Sequence, residues 1–117
     1  MTNSKGLIIL KKANSLYLDI SELTISFPVD KNSELINQLQ SASSLISTNI
    51  SQAIANETLV EFDLFIENAF HAITEVSSLL KVSKNSNFIS EEDFELTNKK
   101  VKTIRRMLYN LKMSQIK

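Results

Sequence analysis

Cysteine is absent from this chain of 117 residues, and histidine, glycine and proline each occur once. Without cysteine the chain can form no disulfide, no thiolate metal site and no thiol nucleophile. A single glycine cannot build a phosphate-binding glycine loop, and a single histidine cannot build a histidine-rich zinc site. Composition thus excludes most enzyme templates. We expect a protein that is not an enzyme and that has no cofactor and no small-molecule substrate.

Long hydrophobic runs are missing as well. The longest early run, Leu7–Leu10, is far shorter than a signal-peptide core or the ~20 apolar residues of a membrane span. Hydrophobic residues still make up 43% of the chain, which is enough to form a core. The sequence therefore predicts a single domain over residues 1–117, located in the cytoplasm and without membrane contact.

Apolar residues recur at steps of three and four in four segments, as they do in amphipathic helices. The stripes are Ile9, Ala13, Leu16, Ile20, Leu23 and Phe27; Leu35, Leu39, Ala42, Ile46, Asn49 and Ala53; Leu59, Phe62, Ile66, Ala69, Ile73, Val76 and Leu80; and Phe94, Val101, Ile104, Leu108 and Leu111. Pro28 ends the first segment. Asn85 to Asn87 are expected to form a turn before the fourth segment, and Ser90 is expected to cap the helix of that segment.

The boundary between the second and third segments is the least marked, because only Asn56 offers a helix cap there. A break near Asn56 gives four helices, and one long continuous helix is the alternative. With the break, matched lengths and short connections predict an all-α, up-and-down antiparallel four-helix bundle.

The order and spacing of several short stretches carry a resemblance to a known family. These stretches are Lys12-Ala13 with Leu16, Leu23-Thr24, Ser26-Phe27-Pro28, Gln38-Leu39 with Ala42, Ile46-Ser47-Thr48-Asn49-Ile50, Phe65, Ala69, Ile73, Glu75, Leu79-Leu80, Phe88-Ile89-Ser90-Glu91-Glu92, and Ile104-Arg105-Arg106-Met107-Leu108. In these stretches the chain resembles the four-helix-bundle proteins encoded in intervening sequences of bacterial large-subunit ribosomal RNA genes. That family also includes the accessory variability proteins of diversity-generating retroelements.

The resemblance implies a bundle that assembles into a homo-oligomeric ring, commonly a homopentamer, without catalytic activity. It does not imply a defined molecular function, but the family's association with ribosomal RNA genes and retroelements favours the hypothesis that the protein binds structured RNA or a partner such as a reverse transcriptase. The chain departs from the family at Gln40-Ser41, where an arginine pair is common, and at Gln52-Ala53, where Glu-Gly follows the family's motif. Two polar features of the family are thus missing.

Charge is balanced over the whole chain, with 13 basic and 13 acidic residues, but it is not balanced locally. Beyond Glu95 every charged residue is basic: Lys99, Lys100, Lys102, Arg105, Arg106, Lys112 and Lys117. We predict that six of these residues, all except Lys117, bind nucleic-acid phosphates. The alternatives are pairing with an acidic face of the third helix (Glu57, Glu61, Asp63 and Glu67), solvation of the surface, or an acidic protein partner.

Two single residues interrupt the pattern of core and surface. Asn49 lies on an otherwise apolar stripe, so we expect a structural role in which one buried polar side chain fixes register or assembly. His71 shares a helical face with Glu67 and Glu75, but one histidine without a repeated ligand motif does not make a metal centre. We therefore expect no metal site, and a solvated or interface histidine.

Four apolar side chains lie off the main stripes, namely Leu10, Tyr17, Phe70 and Tyr109. Because soluble monomers seldom expose large apolar patches, we predict that these residues form subunit contacts. The alternative is that they broaden the intramolecular core. The sequence as a whole favours a non-catalytic oligomeric accessory or adaptor protein that binds RNA or a nucleic-acid-handling partner. A protein-interaction or structural ring without nucleic acid is the alternative.

Overall fold

The computed structural model describes residues 3–56 and 58–115, and these ranges contain four α-helices and no β-strand. The helices are α1 (Asn3–Thr24), α2 (Val29–Ala55), α3 (Leu59–Asn85) and α4 (Glu91–Gln115). Glu57 and Lys117, which entered the charge predictions, lie outside the described residues. The all-α prediction is confirmed, and α2 and α3 are separate helices rather than one.

Each helix packs against its neighbours in an up-and-down antiparallel bundle. Contacts join α1 to α2, α2 to α3, α3 to α4, and α4 back to α1. Lys112 near the end of α4 pairs with Asp63 near the start of α3, which fixes the antiparallel direction of that pair. The bundle measures 47 × 23 × 18 Å along its principal axes. The bundle topology predicted from the sequence is therefore correct.

The core follows the predicted apolar stripes except at four residues. Leu23 and Leu35 are only partly buried, and the remaining stripe residues apart from Leu59 and Asn49 are buried, as the period of 3.6 residues requires. Leu59, however, is 52% exposed, because it is the first residue of α3 and lies outside the main contact between the helices. Asn49 is not on the buried stripe of α2 either; Ile50 is fully buried in its place, and Asn49 is half-buried beside it.

Two hydroxyl side chains cap helices that follow loops. The Ser90 hydroxyl accepts a hydrogen bond from the Asp93 N–H at 3.0 Å, as the sequence predicts for the start of α4. At the start of α3, Thr58 accepts one from the Glu61 N–H at 3.3 Å. Asn56 has extended backbone angles just after α2, so it ends that helix rather than capping the next. The break predicted near Asn56 is thus confirmed, with Thr58 as the cap that sequence reasoning missed.

The α3–α4 connection is a Schellman motif. Asn87 has φ of 62°, and hydrogen bonds run from its N–H to the Lys84 carbonyl and from the Phe88 N–H to the Ser83 carbonyl. Phe88 then packs against Phe27 with ring centroids 5.5 Å apart. Asparagine tolerates the left-handed conformation better than most residues, which is why this turn forms without glycine.

The α1–α2 connection places its single proline where α1 has ended. Pro28 has extended backbone angles (φ −63°, ψ 111°) and directly precedes α2. The Asn32 amide donates a hydrogen bond to the Pro28 carbonyl at 2.9 Å, and Asn32 itself has non-helical angles. The regular part of α2 therefore begins beyond Asn32.

The chain's one glycine allows α1 to approach α2 closely. A Cβ atom at Gly6 would lie 2.8 Å from the Ile54 Cγ1 atom, closer than such atoms approach in proteins. Within the described ranges, no helix is both long enough and apolar enough to cross a membrane.

Candidate nucleic-acid interface

The six predicted phosphate-binding residues are brought onto one helix, but they lie on three of its sides. Successive residues of a helix are 100° apart, so neighbours in the charge run face different partners. Lys100 faces α1, Arg105 and Lys112 face α3, and the rest point outward. The six residues therefore do not form one continuous face of α4.

On the α3 side, Lys112 is engaged in a cluster with two carboxylates. Its ammonium group hydrogen-bonds to Glu67 and lies 3.7 Å from an Asp63 oxygen. The hydrogen bond to Glu67 raises the pKa of Lys112 above its ordinary value of 10.5. Lys112 thus forms the intramolecular pair with the acidic face of α3 that was the alternative to phosphate binding.

Arg105 also lies toward α3, but it makes no ion pair with any described residue. Its guanidinium donates a hydrogen bond to the Thr74 hydroxyl at 3.1 Å. A neutral hydroxyl leaves the positive charge of Arg105 uncompensated. Arg105 therefore remains able to contact a phosphate at the α3 edge of α4.

On the α1 side, Lys100 pairs with Asp19 at 2.6 Å. Both side chains are partly exposed, so solvent screens this pair and its contribution to stability is small. The pair still occupies one of the three protons of the ammonium group. The charge of Lys100 is thus partly neutralised by a helix that the charge prediction did not consider.

Lys99, Lys102 and Arg106 form what we call the basic outer face. They are exposed, lie at spacings of three and four residues, and within the described ranges form no ion pair. The line they form is about 10 Å long at 1.5 Å per residue. Tyr109 follows at the next spacing of three and is also exposed. Of the predicted cations, these three are the ones most available to a ligand.

A groove between α1 and α4 adjoins the basic outer face, and we call it the basic groove. Its volume is about 330 Å³, and its lining residues are Lys12, Ser15, Leu96, Lys99, Lys100, Thr103 and Ile104. Sequence reasoning missed Lys12 because it lies at the far end of the chain from the basic run. The antiparallel pairing of α1 with α4 brings Lys12 beside the basic run. The predicted bundle topology could therefore have indicated that Lys12 lies near these cations.

Asn49 and His71 line a different, polar groove between α2 and α3. It also contains Leu45, Asn68, Ala72 and Glu75. The Asn49 amide donates to the Leu45 carbonyl at 2.8 Å, so its donor is satisfied within its own helix. Glu67 turns away from His71 toward Lys112. Among the described residues no three His, Cys, Asp or Glu side chains are grouped to hold a metal ion.

The four predicted subunit-contact residues divide into two pairs. Leu10 and Phe70 are partly buried and pack against the core, so they contribute to the intramolecular core, which was the alternative. Tyr17 and Tyr109 are exposed. A set of exposed apolar residues, most of them outside the predicted stripes, lies where α1 and α3 begin and α4 ends. We call it the apolar end: Leu7, Ile8, Leu59, Val60, Leu64, Tyr109 and Met113.

Comparison with known proteins places this geometry in context. Over residues 5–110 the sequence matches a family model described as 23S rRNA-intervening sequence protein. The fold is similar to the crystal structure of a protein of unknown function from the S23 ribosomal protein family of Bacteroides thetaiotaomicron. The TM-score is 0.84 at 19% sequence identity, covering 93% of this chain and 98% of the other, which is a likeness of fold alone. No curated protein matches the sequence.

Proposed function

The chain belongs to the 23S rRNA-intervening sequence protein family, and on this premise we propose that it is a non-catalytic, self-associating accessory protein that binds structured RNA. It acts in the cytoplasm, on RNA directly or beside a nucleic-acid-handling partner such as a reverse transcriptase. The observation that carries the proposal is the basic outer face, whose three cations have no acidic partner among the described residues.

Unpaired cations on one line suit a phosphate backbone better than a compact acidic site. A chain with zero net charge exerts no long-range attraction on RNA, so binding depends on local contacts. Each phosphate neutralised by a lysine or arginine releases condensed counterions, which favours binding at low salt. Repetition of the face in an oligomer would multiply the number of contacts.

The test measures binding of an RNA hairpin by fluorescence anisotropy at several salt concentrations. We expect the double variant Lys102→Gln/Arg106→Gln to bind more weakly at low salt. The slope of log K against log[salt] should become shallower by roughly 1.4 to 1.8, the change expected when two phosphate contacts are lost. Arg105→Gln should add a smaller loss, because Arg105 lies at the edge of the face.

The matched control is Lys11→Gln/Lys81→Gln, which removes two exposed lysines and the same net charge from α1 and α3. We expect its salt slope to equal that of the unmodified protein. If both double variants lose affinity equally, RNA responds only to net charge and the basic outer face is not the site. Absence of hairpin binding at low salt would refute the proposal altogether.

Self-association rests on the apolar end. Exposed apolar residues of three helices lie at that end of the bundle, and exposed apolar surface on a soluble protein can mark an interaction surface. The family resemblance favours a homopentamer. We expect light scattering to give a mass several times 13.2 kDa. Val60→Ser/Leu64→Ser should reduce that mass, whereas Ile25→Ser/Val82→Ser, which changes exposed residues at the opposite end, should not.

The apolar end also supports the second candidate, a protein-interaction or structural ring without nucleic acid. This candidate predicts that the oligomer forms while every hairpin variant behaves alike. Recovery of RNA, but of no protein partner, with the protein purified from its own cells would contradict it. A clean monomer in light scattering would overturn the self-association in both candidates.

A further inference from the structure

We propose that the basic groove between α1 and α4 binds a nucleoside phosphate, either as a free nucleotide or as one unit of an unpaired RNA strand. The inference deepens the proposed function and rests on it in part, because Lys99 belongs to both the basic outer face and the groove. It adds Lys12 as a binding residue and selects the kind of nucleic acid that is bound.

The charge of the groove suits one phosphate group. Three lysines line it, and Lys12 and Lys99 form no ion pair with a described residue. Lys100 donates to Asp19 and retains two further ammonium protons. The groove therefore has a net positive charge and several hydrogen-bond donors among its lining residues, which suits a phosphate monoester or diester.

Hydroxyl groups on the two walls complement the lysines. Ser15 lies on the α1 wall and Thr103 on the α4 wall. The Thr103 hydroxyl donates its proton to the Lys99 carbonyl at 3.0 Å, so its oxygen remains an acceptor. An acceptor beside the lysines suits the hydroxyl groups of a ribose, which bare inorganic phosphate lacks.

The apolar part of the groove suits a base. Leu96 is 56% exposed and lines the groove, as does the buried Ile104 two turns further along α4. A flat heterocycle placed against Leu96 would cover apolar surface that water now contacts. The volume of the groove, about 330 Å³, is near the lower limit of small-ligand pockets. The groove therefore fits one nucleotide and not a helix of RNA. In a duplex the bases are stacked and paired, so an unpaired strand is the polymer that fits.

The experiment titrates three probes into the full-length protein: inorganic phosphate, AMP, and a single-stranded oligoadenylate of about ten nucleotides, a length chosen from known single-strand site sizes. Lys12→Gln should weaken binding of AMP and of the oligonucleotide by roughly ten- to a hundredfold, the loss of one charge-assisted contact. Lys11→Gln is the matched control, because Lys11 is its exposed neighbour and does not line the groove. Lys11→Gln should leave both affinities unchanged.

Leu96→Ala separates the base contact from the phosphate contact. We expect it to weaken AMP binding and to leave phosphate binding unchanged. AMP binding that equals the oligonucleotide's affinity identifies a free nucleotide as the ligand, whereas much tighter oligonucleotide binding identifies an RNA unit. Either result supports the inference when Lys12→Gln reduces the affinity for that ligand and Lys11→Gln does not.

Equal affinities of the Lys12→Gln and Lys11→Gln variants for AMP and for the oligonucleotide would overturn the inference. If the hairpin still depended on Lys102 and Arg106 in that case, the proposed function would stand and only the groove would fail. If AMP bound in the groove while the hairpin did not bind at all, the proposed function would fail and the nucleotide site would remain.

Discussion

The burial of Ile66 gives the sharpest test of the bundle, because the sequence places it on the same stripe as Leu59. Ile66 is fully buried in α3, whereas Leu59 is 52% exposed. Replacing Ile66 by alanine removes buried methyl and methylene groups and leaves a cavity. We expect a loss of about 2 to 5 kcal/mol in the free energy of unfolding.

Leu59→Ala should cost no more than about 1 kcal/mol, because water already contacts half of that side chain. Alanine favours helix at both positions, so propensity does not explain a difference. For a domain of this size the predicted gap of about 1 to 4 kcal/mol corresponds to a midpoint for Ile66→Ala that is roughly 4 to 16 °C lower than that for Leu59→Ala.

The assay is thermal unfolding followed by circular dichroism at a fixed protein concentration, since self-association makes the midpoint depend on concentration. Ile73→Ala, at another fully buried position of α3, should behave like Ile66→Ala. Equal midpoints for Ile66→Ala and Leu59→Ala would show that the assignment of the α3 core is wrong.

Two further predictions concern the α3–α4 turn and the carboxylate cluster. Asn87→Ala should destabilise the protein by about 1 kcal/mol and Asn87→Gly should not, because φ at Asn87 is 62°. The measurement is urea unfolding, and the control variant is Asn85→Ala, since Asn85 lies in the right-handed region. The pKa of Lys112 is raised in the folded protein, so its pairing stabilises fully below the ordinary pKa of 10.5 and is lost as pH rises through the higher folded value. The stability difference between the native protein and Lys112→Gln should therefore be constant from pH 7 to about pH 9 and shrink above it; a difference that grows with alkaline pH would contradict the pairing.

Helix positions and most of the core could be predicted from the sequence, because the apolar period is determined by local geometry. The stripe of α4 is buried throughout, and the Asn87 turn forms as its residue type indicates. The assignment failed at Asn49, because from Ile46 a step of three or of four both continue a helical stripe. Only packing against the neighbouring helices decides that Ile50 is the inner residue.

The candidate site was predictable only in part. The basic run places the candidate cations on α4, but a count of charges along the chain ignores the rotation of the helix. Lys100 and Lys112 therefore appeared equivalent to Lys102, although Asp19 and Glu67 are placed beside them by tertiary packing. The polar groove between α2 and α3 likewise depends on which faces meet across the bundle.

Lysine footprinting tests the central claim, that RNA binds along α4 and in the groove it shares with α1, most directly. The protein is acetylated with and without a saturating RNA hairpin that ends in an unpaired strand, and each lysine is quantified by mass spectrometry. We predict protection of Lys12, Lys99 and Lys102, with Lys11 and Lys81 labelled equally in both samples. Equal labelling of Lys99 and Lys102 with and without bound RNA, or protection of Lys11 and Lys81 instead, would contradict it.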